Sequence, residues 1–309
     1  MRITALAGGI GASKFLLGVS DVMPPRDITV IANTGDDIEL FGLRICPDID
    51  TVTYTLAGVI NPTTGWGLSG DTFECLQGLK RYYGDAWFNL GDRDLATHIF
   101  RTNQLRQGIS LSEVTDSIRR VLGVESAILP MTNSYTPTRV TTDEGEMHLQ
   151  EYFVRRKCEP RVISIRSDNI AFAKPAPNVI GAIIDADLVI VCPSNPFISI
   201  GPILSVAGLR DALRETNATI IAITPIVGGK ALKGPAADML RDLGHEISAS
   251  AVARIYNDFL DIFVLDARDA ELKGEIEANG ARVITTDTIM NTAEQKSTLA
   301  RTVIEAALS

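Results

Sequence analysis

The chain has little that would tie it to a membrane, a disulfide framework or a nucleic acid. Its 309 residues include four cysteines, Cys46, Cys75, Cys158 and Cys192, far apart and without a CxxC pair. This excludes a disulfide-stapled scaffold and a clustered zinc site, and points to reduced thiols in a cytoplasmic protein. The three histidines, His98, His148 and His245, are scattered, so they form no zinc spacing. A membrane-spanning helix needs about 20 mostly apolar residues, and the best stretch, Ile183 to Pro193, is short and carries Asp185 and Asp187. The apolar start after Met1-Arg2 is cut off by Gly8-Gly9, which excludes a signal peptide pattern. No Lys/Arg cluster occurs, and 29 basic against 38 acidic residues give a net charge of −9. An acidic chain without a basic patch repels phosphate backbones, so nucleic acid is excluded as a partner. HExxH, GxSxG and the kinase set are also missing.

What remains is ordinary for a well-cored enzyme: 45% hydrophobic and 22% charged residues. One large domain over residues 1–309 accommodates that length. The chain alternates short apolar runs with helical patterns, the signature of a mainly parallel α/β sheet. Candidate strands are Ile3–Ala7, Ile28–Ala32, Ser126–Leu129, Leu188–Cys192, Thr219–Thr224, Ile262–Leu265 and Arg282–Thr285. Candidate helices include Gly11–Ser20, Asp50–Val59, Val179–Ile184, Ile203–Leu213, Pro235–Leu243, Val252–Asn257 and Asn291–Ala307. Residues 65–124 are mostly helical with no strand between, and read as an inserted helical cap. Thr138–Thr142 and Glu146–Phe153, joined by Asp143-Glu144-Gly145, read as a β-hairpin, after which the βα rhythm resumes from Val162.

In such sheets ligands bind beyond the carboxyl ends of the strands, and four polar motifs follow strands or the cap. Gly8-Gly9-Ile10-Gly11-Ala12-Ser13-Lys14 sits between the first strand and helix. Its glycines let a ligand approach the backbone, and the helix start offers free N–H groups suited to phosphate. The Walker ending is missing, and Lys14 stands where a dinucleotide fingerprint has its third glycine. The plain alternative is a tight turn. Asn33-Thr34-Gly35-Asp36-Asp37 and Cys46-Pro47-Asp48-Ile49-Asp50-Thr51 concentrate four carboxylates. Such groups repel unless a cation or a proton lies between them, and Mg²⁺ takes one or two carboxylates plus phosphate oxygens. Helix capping, with Asp50 as an N-cap, accounts for one or two of the four. Gly91-Asp92-Arg93-Asp94 opens a helix with Asp92 as its expected cap, and His98 lies one turn beyond Asp94. Pro193-Ser194-Asn195-Pro196, running on to Ser199-Ile200-Gly201-Pro202, is a rigid polar loop after a buried strand, a second anion-binding candidate. By themselves these residues support an enzyme that binds a phosphorylated ligand with Mg²⁺.

Together the four motifs resemble the 2-phospho-L-lactate transferase family, along essentially the whole chain. The resemblance implies a Rossmann-like core with helices on both faces, an inserted helical subdomain and a homodimer. It implies a step in coenzyme F420 biosynthesis. There the deazaflavin FO attacks a guanosine diphosphate conjugate of a three-carbon acid, lactate or enolpyruvate, and GMP leaves with Mg²⁺ assisting. On this resemblance Asp36, with Asp37 and Asp48, holds the metal, and Asp36 and Asp50 are catalytic. Asp50 orients or deprotonates the FO hydroxyl; aspartate is generally a weak base, so positioning is its main contribution. Gly8, Gly9, Gly11, Lys14, Ser194 and Asn195 hold the nucleotide. Trp66, Arg93 and His98 line the FO pocket with Asp50. Two other readings stay open: a non-catalytic nucleotide-sugar-binding regulator of related fold, and an NAD(P)-dependent oxidoreductase with Asp36 on the ribose.

Overall fold

The computed structural model describes residues 1–308. Seven strands form the central sheet: β1 (Ile3–Ala7), β2 (Ile28–Ala32), β3 (Ala127–Pro130), β4 (Leu188–Val191), β5 (Thr219–Ile223), β6 (Ile262–Asp266) and β7 (Arg282–Thr286). Every pairing among them is parallel, in the order β3-β2-β1-β4-β5-β6-β7. The continuous apolar runs explain this. β1, β4 and β6 are buried along their whole length, which suits strands covered by helices on both faces rather than half-exposed ones.

One layer holds Phe15, Leu16 and Val19 of α1 (Gly9–Val22) against Val303 and Ala300 of the C-terminal helix Ala293–Leu308. The opposite layer is built from Val179, Ile183, Ile203, Leu209 and Val252. Gly18 is a contact point: a Cβ there would collide with the Lys296 carbonyl, so its absence lets the two helices touch. From β1 the chain moves outward through β2 to β3, then returns to the other side of β1 as β4. The crevice between β1 and β4 is therefore the switch point at which such sheets bind ligands.

Residues 65–124 contain α3 (Glu74–Tyr83), α4 (Asp94–Arg106) and α5 (Leu111–Val121), preceded by α2 (Pro47–Leu56). Leu111 and Val124 join the main core, so α5 doubles as the crossover helix leading into β3. Two local expectations are corrected, and one element was unforeseen. Val162–Ser167 does not resume the parallel rhythm; it pairs antiparallel with Thr138–Thr142, which also pairs with Gly145–His148. With half of its residues exposed and only Val162 buried, it cannot occupy a strand covered on both faces. The expected helix Ile203–Leu213 breaks into Gly201–Ser205 and Leu209–Glu215 around Gly208, whose φ is +85°. Within the acidic segment an unforeseen hairpin pairs Ile38–Leu40 with Leu43–Ile45. Its two-residue turn, Phe41-Gly42, has φ of +53° and +73°, matching a tight right-twisted hairpin.

Candidate active site

Beyond the carboxyl ends of β1 and β4 lies a cavity of about 630 Å³, lined among others by Gly8, Gly9, Gly11, Asp36, Asp48 and Asp50. The glycines are required by close approaches. A Cβ at Gly8 would come within 2.6 Å of Asp48 Oδ2, and one at Gly11 would strike the Pro193 carbonyl oxygen. Gly9 has φ of +71°, a conformation glycine adopts freely. Gly8 offers α1 no side-chain cap, so the first helix amides and the positive end of the dipole face the cavity.

Two carboxylates meet there. Asp36 and Asp48 are both buried and close enough for each carboxyl to shift the other. Burial, then the neighbouring Asp48 charge, pushes the Asp36 carboxyl well above the ordinary range. Burial pushes Asp48 up to about 6, against the Asn33 amide and the Gly9 N–H, which favour its charged form. The scaffold is explicit: Asn33 Nδ2 donates to Asp48 Oδ2 at 2.8 Å, and Gln150 Nε2 donates to Asp36 Oδ2 at 3.3 Å. Asp36 Oδ1 is buried with no partner. Two adjacent carboxylates with an orphaned oxygen fit a hard, oxygen-seeking cation. No group of three or more His, Cys, Asp or Glu forms a metal cage among the described residues. Two carboxylates completed by phosphate oxygens and water is the Mg²⁺ pattern.

A second constellation stands on α2 and α4. Pro47 occupies the first turn of α2, where its missing N–H costs nothing. Cys46 is the N-cap, so Asp50 lies inside the helix, not at its cap. Asp50 is 5% exposed and grips Arg101 by both oxygens: Nη1 donates to Oδ2 at 3.0 Å, and Nη2 donates to Oδ1. Burial opposes the Arg101 charge, but the facing Asp50 carboxylate outweighs it and pushes the guanidinium pKa above its usual range. His98 Nδ1 is 3.7 Å from Asp50 Oδ2, and His98 Nε2 is 3.3 Å from Asp94 Oδ2. Tyr54 donates to Asp94 Oδ1 at 2.6 Å. Burial opposes the Asp94 charge too, but bonds from His98 and Tyr54 hold its carboxyl below the ordinary range.

The expected caps are exchanged between helices. Asp92 does not cap α4; it accepts from the Glu74 and Cys75 amides, both at 2.9 Å, and so caps α3. Asp71 accepts from Arg93 N at 2.8 Å and Asp94 N at 3.0 Å, and so caps α4. Gly91 is needed because a Cβ there would overlap the Asp71 carboxylate. This clasp sets where α4 begins, and with it the position of Asp94 and His98.

Most of the singled-out residues converge on the cavity: Gly8, Gly9, Gly11, Lys14, Asp36, Asp48, Asp50, Trp66, His98, Ser194 and Asn195 all line it. Ser194 and Asn195 shape the loop: Ser194 Oγ donates to Gly8 O at 2.8 Å, and Asn195 Oδ1 accepts from Phe197 N at 2.9 Å. Two residues lie off the cavity lining. Asp37 faces Cys46 Sγ at 3.0 Å and Arg44 Nη1 at 3.8 Å, and burial raises its carboxyl to about 7. Arg93 is exposed and donates to Ser69 O at 3.1 Å. Sequence reading had not singled out Tyr54, Arg101, Gln150, Lys233 or Arg268. Arg101 carried a signal: Asp94, His98 and Arg101 recur at helical spacing on one face. Lys233 and Arg268 add positive charge to the cavity lining. Burial lowers the Lys14 pKa, and the nearby Lys233 and Lys296 charges lower it further.

No single helix among the described residues is long and apolar enough to cross a membrane. The model of the family described as 2-phospho-L-lactate transferase CofD matches residues 3–308. A phosphoenolpyruvate transferase of Streptomyces griseus is 43% identical, over 99% of this chain and 98% of the relative. A 2-phospho-L-lactate transferase of Methanothermobacter thermautotrophicus is also 43% identical, over 97% of this chain and 96% of the relative. Among solved structures, a UPF0052-family protein from Bacillus halodurans superposes with a TM-score of 0.65, covering 98% of both chains at 15% identity, a likeness of fold. The match over nearly every residue, with the glycine loop, the acidic pair and the α4 constellation around one cavity, shows that this chain is an enzyme of the 2-phospho-L-lactate transferase family.

Proposed function

We propose that the enzyme transfers a phospho-three-carbon-acid group from its guanosine diphosphate conjugate to FO, releasing GMP, in coenzyme F420 biosynthesis. The observation that carries this reading is the continuity of the cavity, which joins an uncapped helix start, a carboxylate pair and the Arg101-bound Asp50. The Gly9 N–H is given to Asp48, so the next first-turn amides of α1, that of Gly11 among them, hold the diphosphate with Lys14. Asp36 and Asp48 hold Mg²⁺, which supplies positive charge against the diphosphate and the departing GMP when bound. Asp37, directed away from the cavity, supports the Asp36 turn from behind.

FO enters beside Trp66 and His98, where an aromatic ring suits a flat tricycle. Its ribityl hydroxyl donates to Asp50, which orients the oxygen on the phosphorus distal to guanosine. As the new P–O bond forms, the hydroxyl proton leaves towards Asp50. The bond to the GMP oxygen breaks, and that oxygen keeps the electron pair. Positioning of this kind supplies much of the acceleration in phosphoryl transfer.

The test is turnover. The protein is incubated with FO, Mg²⁺ and either the lactyl or the enolpyruvyl guanosine diphosphate, and products are followed by mass spectrometry. GMP and an FO phosphodiester formed in equal amounts support the reading. Absence of both products with either donor overturns it. Comparing the two donors identifies the acid, for which a single polar contact is decisive. Asp50→Ala is expected to lose turnover by about 100-fold or more while still binding GDP.

A further inference from the structure

We propose that Arg101 is the positioning residue of the acceptor site, its guanidinium fork setting the orientation in which Asp50 receives the acceptor hydroxyl. This rests on the transferase reading above. Arg101 has no exposed surface and heads the fully buried side chains among the described residues. It does not touch the cavity, whereas Asp50 lines it. Nη1 and Nη2 take one Asp50 oxygen each, and Nη1 also lies 3.3 Å from His98 Nδ1 and 3.5 Å from the Arg44 carbonyl. A carboxylate oxygen has two acceptor sites. The fork occupies one on each oxygen and fixes the carboxylate plane, leaving the remaining sites to the cavity side.

Stability alone does not account for this arrangement. Burying an ion pair gains little over packing apolar side chains in its place, and here Arg101 Nε is buried without a partner. The pair is better explained by what it holds. Only arginine offers a planar two-point grip on a carboxylate; lysine would keep the charge and lose the plane. The geometry extends along α4, since Asp94, His98 and Arg101 share one buried face. Tyr54 donates to Asp94, Asp94 Oδ2 lies 3.3 Å from His98 Nε2, and His98 borders the Arg101–Asp50 pair. The acceptor side of the cavity therefore rests on a buried polar scaffold.

Arg101→Lys and Arg101→Ala separate positioning from folding, with GDP affinity as the gauge of an intact nucleotide site. For Arg101→Lys, kcat is expected to fall about 100-fold, while the KM for FO and the GDP affinity stay within about threefold. For Arg101→Ala, millimolar guanidinium is expected to restore kcat at least about tenfold, and equal NaCl or ammonium is expected to restore none, because only the planar cation refills the fork. Near-normal kcat in Arg101→Lys overturns the proposal. So does joint loss of GDP binding and turnover in Arg101→Ala that guanidinium does not reverse. If the wild-type enzyme forms no product from FO and either donor, the transferase reading fails and this proposal falls with it. Wild-type turnover with an unaffected Arg101→Lys variant overturns this proposal alone.

Discussion

Gly11 and Gly78 both sit inside helices, yet a methyl group would have opposite effects at the two. At Gly11 the added carbon runs into the Pro193 carbonyl oxygen; at Gly78, in α3, it meets nothing within 4 Å. Gly11→Ala is therefore expected to destabilise the fold by about 1–3 kcal/mol, as overpacking does, and to weaken GDP binding as β4 and α1 are forced apart. Gly78→Ala is expected to stabilise by about 0.5–1 kcal/mol through helix propensity alone. Thermal denaturation and GDP titration of both variants check the pair. His148 allows a pH argument. Its Nδ1 accepts from Gln150 N at 3.0 Å, and its Nε2 meets the Asp37 carbonyl at 3.0 Å, so the neutral ring with hydrogen on Nε2 satisfies both partners. Burial lowers its pKa from the usual 6.5 to about 4. The unfolded chain takes up the proton near the first value and the folded chain only near the second, so stability falls as pH drops between them. The gap is worth about 3 kcal/mol. Wild-type Tm should fall across this window more steeply than that of His148→Gln, which can keep both hydrogen bonds without a charge change; equal slopes would exclude the assignment.

At the scale of elements, α4 shows why part of the site was hard to read. It buries Asp94, His98 and Arg101 beside Leu95 and leaves Ile99 and Phe100 exposed, so its buried face is far more polar than that of an ordinary amphipathic helix. Apolar periodicity locates a core face, so it could not announce that the polar face points inward. The exchanged caps were hidden for a related reason. A cap is read from the residue just before a helix, whereas Asp71 reaches α4 and Asp92 reaches α3 across a loop. The strand–turn–helix units were legible because continuous apolar runs and glycine turns are local signals, and β1 and β2 fall where the runs lie. The Asp36–Asp48 meeting was legible only as a cluster in sequence: Asp37 belongs to the same cluster and turns away. Asp71→Ala should remove the α4 cap at a cost of about 1 kcal/mol. Its first-turn amides, Arg93 and Asp94, should then exchange hydrogen faster, and FO should bind more weakly because Asp94 and His98 shift with the helix start. Unchanged exchange at those two amides would rule the clasp out.

For the whole molecule, a net charge of −9 and the anionic donor proposed above are reconciled by where the charges sit. The switch point between β1 and β4 puts helix amides, Lys14 and the carboxylate pair around a single volume. In the proposed function neutral dipoles hold phosphate, while the acidic residues attract it only through a cation. Lys233 and Arg268, reaching the cavity from the loops after β5 and β6, offset the excess locally without changing its sign for the molecule. On the proposed reading nucleotide and Mg²⁺ bind interdependently: two carboxylates would leave the ion short of ligands that a diphosphate supplies, and the diphosphate would meet unscreened Asp36 and Asp48 without the ion. Such coupling is reciprocal. Calorimetry should find GDP bound at least about tenfold more tightly in Mg²⁺ than in EDTA, and Mg²⁺ tightened by GDP to the same degree. Asp48→Asn removes a carboxylate from the pair and should make GDP affinity nearly indifferent to Mg²⁺ without abolishing it, since the α1 amides remain. A wild-type GDP affinity that does not respond to Mg²⁺ would show that Asp36 and Asp48 do another task, and that protonation rather than a cation relieves their repulsion.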